Sequence, residues 1–147
     1  MHALLAACGG GGGGGGGGGS DNTNISSTGW LIPEDEVRDG GPGKDGIPAI
    51  NNPVFVSQDL QQVTARQLMI GMSVDGEAVA ASHDIKDWHE VLNLGTSTGP
   101  TTMSYCPLTG SALYWQGNEN HTDPTFGVSG LLYNSNLILY DRETDSN

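Results

Sequence analysis

Residues 68–82 read LMIGMSVDGEAVAAS, and the Asp75-Gly76 pair at their centre decides the class of fold. Asp-Gly tolerates the positive φ angles of a two-residue turn, and the alternating segments on either side supply two strands, so the stretch predicts a tight β-hairpin. Working outward toward the C-terminus, "TTMSY" (101–105), "SALYW" (111–115), "PTFGV" (124–128) and "NLILYD" (136–141) are short strand candidates separated by turn-forming residues. Between hairpin and strands, "SHDIKDWHEVLNLG" (82–95) changes period. Ile85, Trp88, His89 and Leu92 stand at i, i+3, i+4 and i+7, the spacing of one helical face, with Ser82 or Asp84 as a start cap and Gly95 as a stop. Upstream, residues 30–56 contain Pro33, Pro42, Pro48 and Pro53 and four glycines between Gly40 and Gly46. That density forbids a long helix or a central strand and predicts a structured loop wrapped around the core. The expected fold is mainly β (α+β): a small antiparallel or mixed sheet, or a barrel-like domain, with one short helix and a long Pro/Gly-rich N-terminal loop.

The N-terminus has a different character. "HALLAAC" ends in Leu5-Ala6-Ala7-Cys8, a small-residue pattern before cysteine that resembles a bacterial lipobox. It implies cleavage before Cys8, lipid attachment to its thiol, and a membrane-anchored protein of the bacterial cell envelope, outside the cytoplasm. Gly9–Gly19 is an unbroken glycine run with nothing to bury; as a flexible coil it averages about 17–20 Å end to end, a tether's length. The expected organisation is residues 1–8 as a partial lipoprotein signal, 9–28 as a polyglycine and polar tether, and 29–147 as one domain.

Charge excludes some partners. Seventeen Asp and Glu against five Lys and Arg leave a net charge of −12, without the cation cluster that nucleic-acid binding needs. An anionic membrane surface would repel such a chain, so attachment has to run through the lipid on Cys8.

Several motifs fail on spacing. Gly41, Gly43 and Gly46 fit a dinucleotide fingerprint formally, but no apolar strand precedes them. Asp39 and Asp45 match no calcium-loop spacing and read as turn residues. "HEVLN" (89–93) opens like a zinc-protease helix but has Asn93 where the second histidine belongs, and Gly127-Val128-Ser129-Gly130 lacks the last glycine of a nucleophile elbow. Cys106 has no CxxC partner and no blue-copper loop after it. What remains is Cys106 at a strand end before Pro107, with Gly110 permitting a sharp turn. Its candidate partner is His89, followed by Glu90. A thiolate beside an imidazole can act as a nucleophile with His89 as base, or the two can bind a transition-metal ion. Equally, Cys106 can be a small buried hydrophobe and His89 a hydrogen-bonded core residue.

Four stretches carry a family resemblance: "GWLIPEDEVRDGGPGKDGIPAINNPVFV" (29–56), "DWHEVLN" (87–93), "SYCPLTGSALYW" (104–115) and "TFGVSGLLYNSNLILYDRET" (125–144). Together, in this order, they resemble a bacterial family catalogued as domain of unknown function 3179, whose members are commonly exported proteins or lipoproteins. The resemblance implies that Trp88-His89-Glu90 and Tyr105 through Gly110 belong to the family pattern. It supplies no reaction. His83 stands where relatives tend to have a tyrosine-proline-leucine-like segment, and no role is carried over to it. Family domains also continue beyond "YDRET", which leads us to expect further C-terminal strands. Three functions follow as expectations: a tethered extracytoplasmic domain with a Cys106–His89 metal or thiol-redox centre; a binding or scaffolding module in which both residues are structural; and a cysteine-nucleophile hydrolase or transferase using Cys106, His89 and Glu90.

Overall fold

The computed structural model describes residues 29–57, 63–116 and 125–147. Cys8, the glycine run and the sequence up to residue 28 lie outside the described residues. The chain is mostly β. A 3-10 turn at Glu34–Glu36 is followed by β1 (Arg38–Asp39), β2 (Ile50–Asn51), β3 (Met69–Val74), β4 (Glu77–Ser82), the one-turn helix α1 (His83–Lys86), β5 (Val91–Thr96), β6 (Gly99–Cys106), β7 (Ser111–Gln116), β8 (Phe126–Tyr133) and β9 (Asn136–Asp141). They form three small sheets, none closed into a barrel: β1-β8-β9, β2-β5-β6-β7 and the β3-β4 hairpin.

The hairpin forms where Asp75-Gly76 places it, with Val74 opposite Glu77 and φ of 51° and 83° at the two turn residues. Its turn is tied onward: Asp75 accepts hydrogen bonds from the Ser97 hydroxyl at 2.6 Å and the Ser97 backbone N–H at 3.0 Å, which together hold the carboxyl below the usual carboxylate range. Gly110 has φ 63° and donates its N–H to the Cys106 carbonyl, closing the sharp turn between β6 and β7.

The central sheet is covered on both faces. Side chains alternate along β5 and β6, so Leu92, Leu94 and Met103 face the hairpin and pack with Met72 in the apolar core, joined by Ile50, Ile70, Val74 and Val79. Asn93, Thr102, Ser104 and Cys106 face β8 and β9. Here the sequence expectation needs correction. The helix does not continue through Trp88, His89 and Leu92; it stops at Lys86, and Val91–Thr96 is a strand hydrogen-bonded to β2 on one side and β6 on the other. Trp88 is 76% exposed while Lys86 is fully buried, the reverse of the expected stripe. Of the helical-period residues Ile85 is in α1, Trp88 and His89 lie between the elements, and only Leu92 is in the strand, which is buried on both faces and so shows no alternation to mark its start. Gly95 is a strand residue opposite Pro100 and caps nothing. Ser82 occupies the N-cap position without a side-chain capping bond.

The proline- and glycine-rich loop wraps the core as expected, touching down at two short strands: β1 on β8, antiparallel, and β2 on β5, parallel. Between them, Gly40 N–H donates to Gly130 O at 2.8 Å and Asp45 N–H to Val128 O at 2.9 Å. A Cβ on Gly130 would lie 2.5 Å from the Gly43 carbonyl carbon, and its φ is +80°, so only glycine lets the loop lie so close to β8. Asp39 and Asp45 serve as loop fasteners: Asp39 accepts from Gly41 N–H, and Asp45 accepts from the Tyr140 hydroxyl and pairs with Arg142 at 2.9 Å.

One buried amide joins the layers. Asn93 Nδ2 donates to Asn51 Oδ1 and to the Phe126 carbonyl, both at 2.8 Å, and its Oδ1 accepts from Thr102 Oγ1 at 2.7 Å and Phe126 N–H at 3.1 Å. Removing it strands the Phe126 main chain and the Thr102 hydroxyl away from water, at a cost of about 3 kcal/mol. Asn93→Ala should therefore lower the urea unfolding free energy by about that amount. Trp88→Ala, at an exposed position, should change it by no more than about 0.5 kcal/mol; a large loss would show that Trp88 is a core residue after all.

Candidate functional site

The β6-β7 hairpin and the strands around it carry the residues with chemical potential. Cys106 ends β6 and is 1% exposed. Its thiol donates to the Ser135 carbonyl at 3.6 Å, beneath the Asn134-Ser135 turn that joins β8 to β9. That turn has φ of 49° and 64° at two non-glycine residues, so the bond helps hold a conformation that glycine would adopt more easily. His89 is half-buried, and its Nδ1 bonds to the Pro48 carbonyl at 2.8 Å. The main chain brings the two segments side by side, because Tyr105 N–H donates to the Glu90 carbonyl at 2.8 Å. The side chains are nevertheless committed to different carbonyls, and no hydrogen bond joins Cys106 to His89 among the described residues. No group of three or more His, Cys, Asp or Glu side chains converges on a metal position among those residues.

Lys86 belongs to the same neighbourhood, and the sequence reading missed it. Its ammonium is fully buried, donating to the Glu90 carbonyl at 3.0 Å and the Met103 carbonyl at 3.2 Å. Burial pushes Lys86 down to about 8, against the pull of the Glu90 carboxylate. Burial likewise raises Glu90, while Lys86 opposes that rise. Close by, Tyr105 and His83 meet edge-on, with the tyrosine hydroxyl 3.1 Å from His83 Nδ1. Burial raises the Tyr105 phenol above its usual range. Lys86 lies outside the Ile85-Trp88-His89-Leu92 period, and no motif in the sequence marks it.

On the other side of Cys106 the surface opens. β7 is the edge of the central sheet, and Leu113, Tyr114 and Trp115 are 46%, 43% and 45% exposed. A cleft of about 290 Å³ lies between β7 and the β8-β9 sheet, lined by Leu113, Trp115, Phe126 and Leu139, with Ser104 and Asn136 as polar groups. Trp115 Nε1 donates to Ser104 Oγ at 3.3 Å, which fixes the indole against the sheet. Ser111 and Thr109 share a 2.6 Å hydroxyl bond, and both reach Asn136 Oδ1. A second cleft of about 260 Å³ lies on the opposite face of β7, between Tyr114 and the Ile70–Ser73 stretch of β3, with Met103 at its base.

Residues 44–147 match the family described as protein of unknown function (DUF3179), and the chain belongs to that family. The matched span holds the central sheet, Cys106, His89, Glu90, Lys86 and both clefts. No curated protein and no solved structure matches the chain.

The buried ammonium has a measurable consequence. Between pH 8 and the ordinary lysine value of 10.5, the unfolded chain holds a proton on Lys86 that the folded chain has released. The unfolded state then binds more protons, so stability rises with pH in this window, by at most about 1.4 kcal/mol per pH unit for one group. Urea midpoints of wild type and Lys86→Met, measured from pH 7 to 10.5, should diverge with that sign. Parallel curves would mean that Lys86 titrates normally.

Proposed function

We propose that the domain is a binding module, tethered outside the bacterial cytoplasm through lipid on Cys8, whose ligand surface is β7 with the clefts on its two faces. The observation that carries this reading is the exposure of Leu113, Tyr114 and Trp115 side by side on a sheet edge, above two apolar hollows. Binding sites are concave, mostly apolar and equipped with a few placed polar groups. Ser104, Ser111 and Asn136 are such groups in the larger cleft. Each methylene buried there contributes about 0.8 kcal/mol, so even a short apolar side chain gains measurable affinity. Trp115 is its own reporter. In a Trp30→Phe/Trp88→Phe background, an apolar dye such as anilinonaphthalene sulfonate should quench Trp115 emission on binding. Leu113→Ser should weaken that binding about tenfold without moving the urea midpoint; no binding by wild type overturns the reading.

In this reading Cys106 and His89 are structural, held by Ser135 and Pro48. The competing proposal is a Cys106–His89 centre that holds a transition-metal ion or does thiol chemistry, including a hydrolase or transferase with Glu90 in attendance. What favours it is the Tyr105–Glu90 backbone bond that runs the two segments together. It requires the thiol to leave Ser135 and meet the imidazole. Cys106 is 1% exposed, which shields the thiol from reagents, so a disulfide reagent should modify it only as fast as the domain unfolds. Stoichiometric bound metal by elemental analysis, or rapid modification that His89→Ala slows, would favour the centre instead.

The anchor is tested separately. Cys8→Ser should release the protein from the membrane to the soluble fraction; unchanged membrane association would remove the lipid tether. Among the described residues no helix is long and apolar enough to cross a membrane.

A further inference from the structure

We propose that Asp75-Gly76 is the site at which the folded domain converts to isoaspartate, and that Ser97 sets the rate by holding Asp75 away from this chemistry. The reaction exchanges one main-chain bond. The Gly76 nitrogen attacks the side-chain carboxyl carbon of Asp75, gives up its proton and expels water, which closes a five-membered succinimide. Water then returns to either ring carbonyl. Opening at the main-chain carbonyl leaves Gly76 attached through the side-chain carbon, as isoaspartate; opening at the other restores aspartate. A side chain on the residue after the aspartate would hinder the attack. Gly76 has none, and apart from its chain neighbours no atom lies within 4 Å of where its Cβ would be, so the nitrogen is open.

The bonds from Ser97 oppose the reaction. Asp75 Oδ1 accepts from the Ser97 hydroxyl at 2.6 Å, and both carboxylate oxygens accept from Ser97 N–H at 3.0 Å. These bonds favour the ionised carboxyl, and a carboxylate is a poor electrophile because it has no hydroxyl to expel as water. They also aim the group at the β5-β6 turn, so they must break before it can swing back onto the Gly76 nitrogen. Asp75 and Ser97 are both exposed, and such a tip can open while the core stays folded. The product then undoes the joint. Isoaspartate adds a methylene to the main chain, which a two-residue turn closing Val74 onto Glu77 does not accommodate. The hairpin is a sheet of its own, so Asp75–Ser97 is a polar tie between its tip and the central sheet. Its loss loosens β3, one wall of the cleft beside Tyr114.

The test compares the full chain with the free peptide MSVDGEAV, residues 72–79, both kept in warm, mildly acidic buffer. The water lost in the first step returns in the second, so mass is unchanged. Isoaspartate is therefore counted by enzymatic methylation and placed by electron-transfer fragmentation. In the wild-type chain it should gather at residue 75, about tenfold more slowly than in the peptide, because only the open fraction of the tip reacts. Ser97→Ala should speed it about three- to tenfold, the weight of one hydrogen bond. Ser97→Thr, which keeps the hydroxyl and the N–H, should match wild type. Asn93→Ala lowers global stability but keeps the tie, so it too should react at the wild-type rate. Wild type reacting as fast as the peptide would overturn the protection, as would a Ser97→Ala rate equal to wild type. Asn93→Ala reacting faster than Ser97→Ala would trace the reaction to global unfolding and overturn the role of Ser97. Isoaspartate gathering in Ser97→Ala at another residue, such as Asn134, and not at residue 75 would overturn the site.

Discussion

Asn93 is the interaction on which the rest depends. A primary amide has two donor hydrogens and an acceptor oxygen that can take two bonds, and all four bonding positions are filled here by Asn51, Thr102 and both main-chain groups of Phe126. Through those four bonds a single side chain connects β2, β5, β6 and the start of β8. Asn52 N–H, donating to the Asn93 carbonyl at 2.8 Å, adds the backbone to the same junction. With Asn93 and Thr102 buried, such a network favours one arrangement of the layers, because an alternative would leave those polar groups unpaired.

With the layers pinned there, the remaining geometry follows. The hairpin covers one face of β5 and β6 through methionine and leucine packing, and β8-β9 covers the other through Asn93 and the Cys106 thiol. Both covers meet β7 loosely, β9 through the Asn136–Ser111 bond and the hairpin along Ile70–Ser73, and leave a cleft on each face. The side chains of β7 therefore stand over hollows, and its outer edge is unpaired among the described residues. The loop that carries Gly43, Lys44 and Asp45 closes the opposite flank, locked to β9 by Tyr140 and Arg142. Lys86 anchors the junction of α1 with the sheet by donating to the Glu90 and Met103 carbonyls, the first of which also accepts from Tyr105 N–H.

Local chemistry made much of this legible. Asp75-Gly76, Pro107 through Gly110 and the glycines of the wrapping loop each require a particular backbone conformation, and each turn formed where its residues dictate. The strands at 101–105, 111–115 and 136–141 emerged from turn chemistry and β-branched or aromatic content, whereas the expected 124–128 strand, whose Pro124 lies outside the described residues, runs on through Ser129–Tyr133 as β8. The 82–95 stretch was misread, because Ile85, Trp88, His89 and Leu92 satisfy a helical period that only the insertion of β5 between β2 and β6 overrides. That one tertiary event inverted the burial of Trp88 and Lys86. It also explains why Asn93, which looked like a failed zinc ligand, is the bolt of the sheet. Cys106 and His89 were recognisable as the chemically distinctive residues, but a one-dimensional spacing carries no information about which carbonyl each side chain meets.

The sequence by itself determined the β class, the turn positions, the acidic and cation-poor surface, and membership of a family whose motifs run in fixed order. Those properties are local or additive, so they survive without knowledge of the fold. Only the tertiary structure decided that Cys106 and His89 bond separately to Ser135 and Pro48, that a lysine sits at the centre of the α1-β5 junction, and that β7 is the outermost strand of the central sheet among the described residues. Each of these depends on which strand lies beside which, a long-range pairing set by the packing of whole faces rather than by any residue's neighbours in the chain.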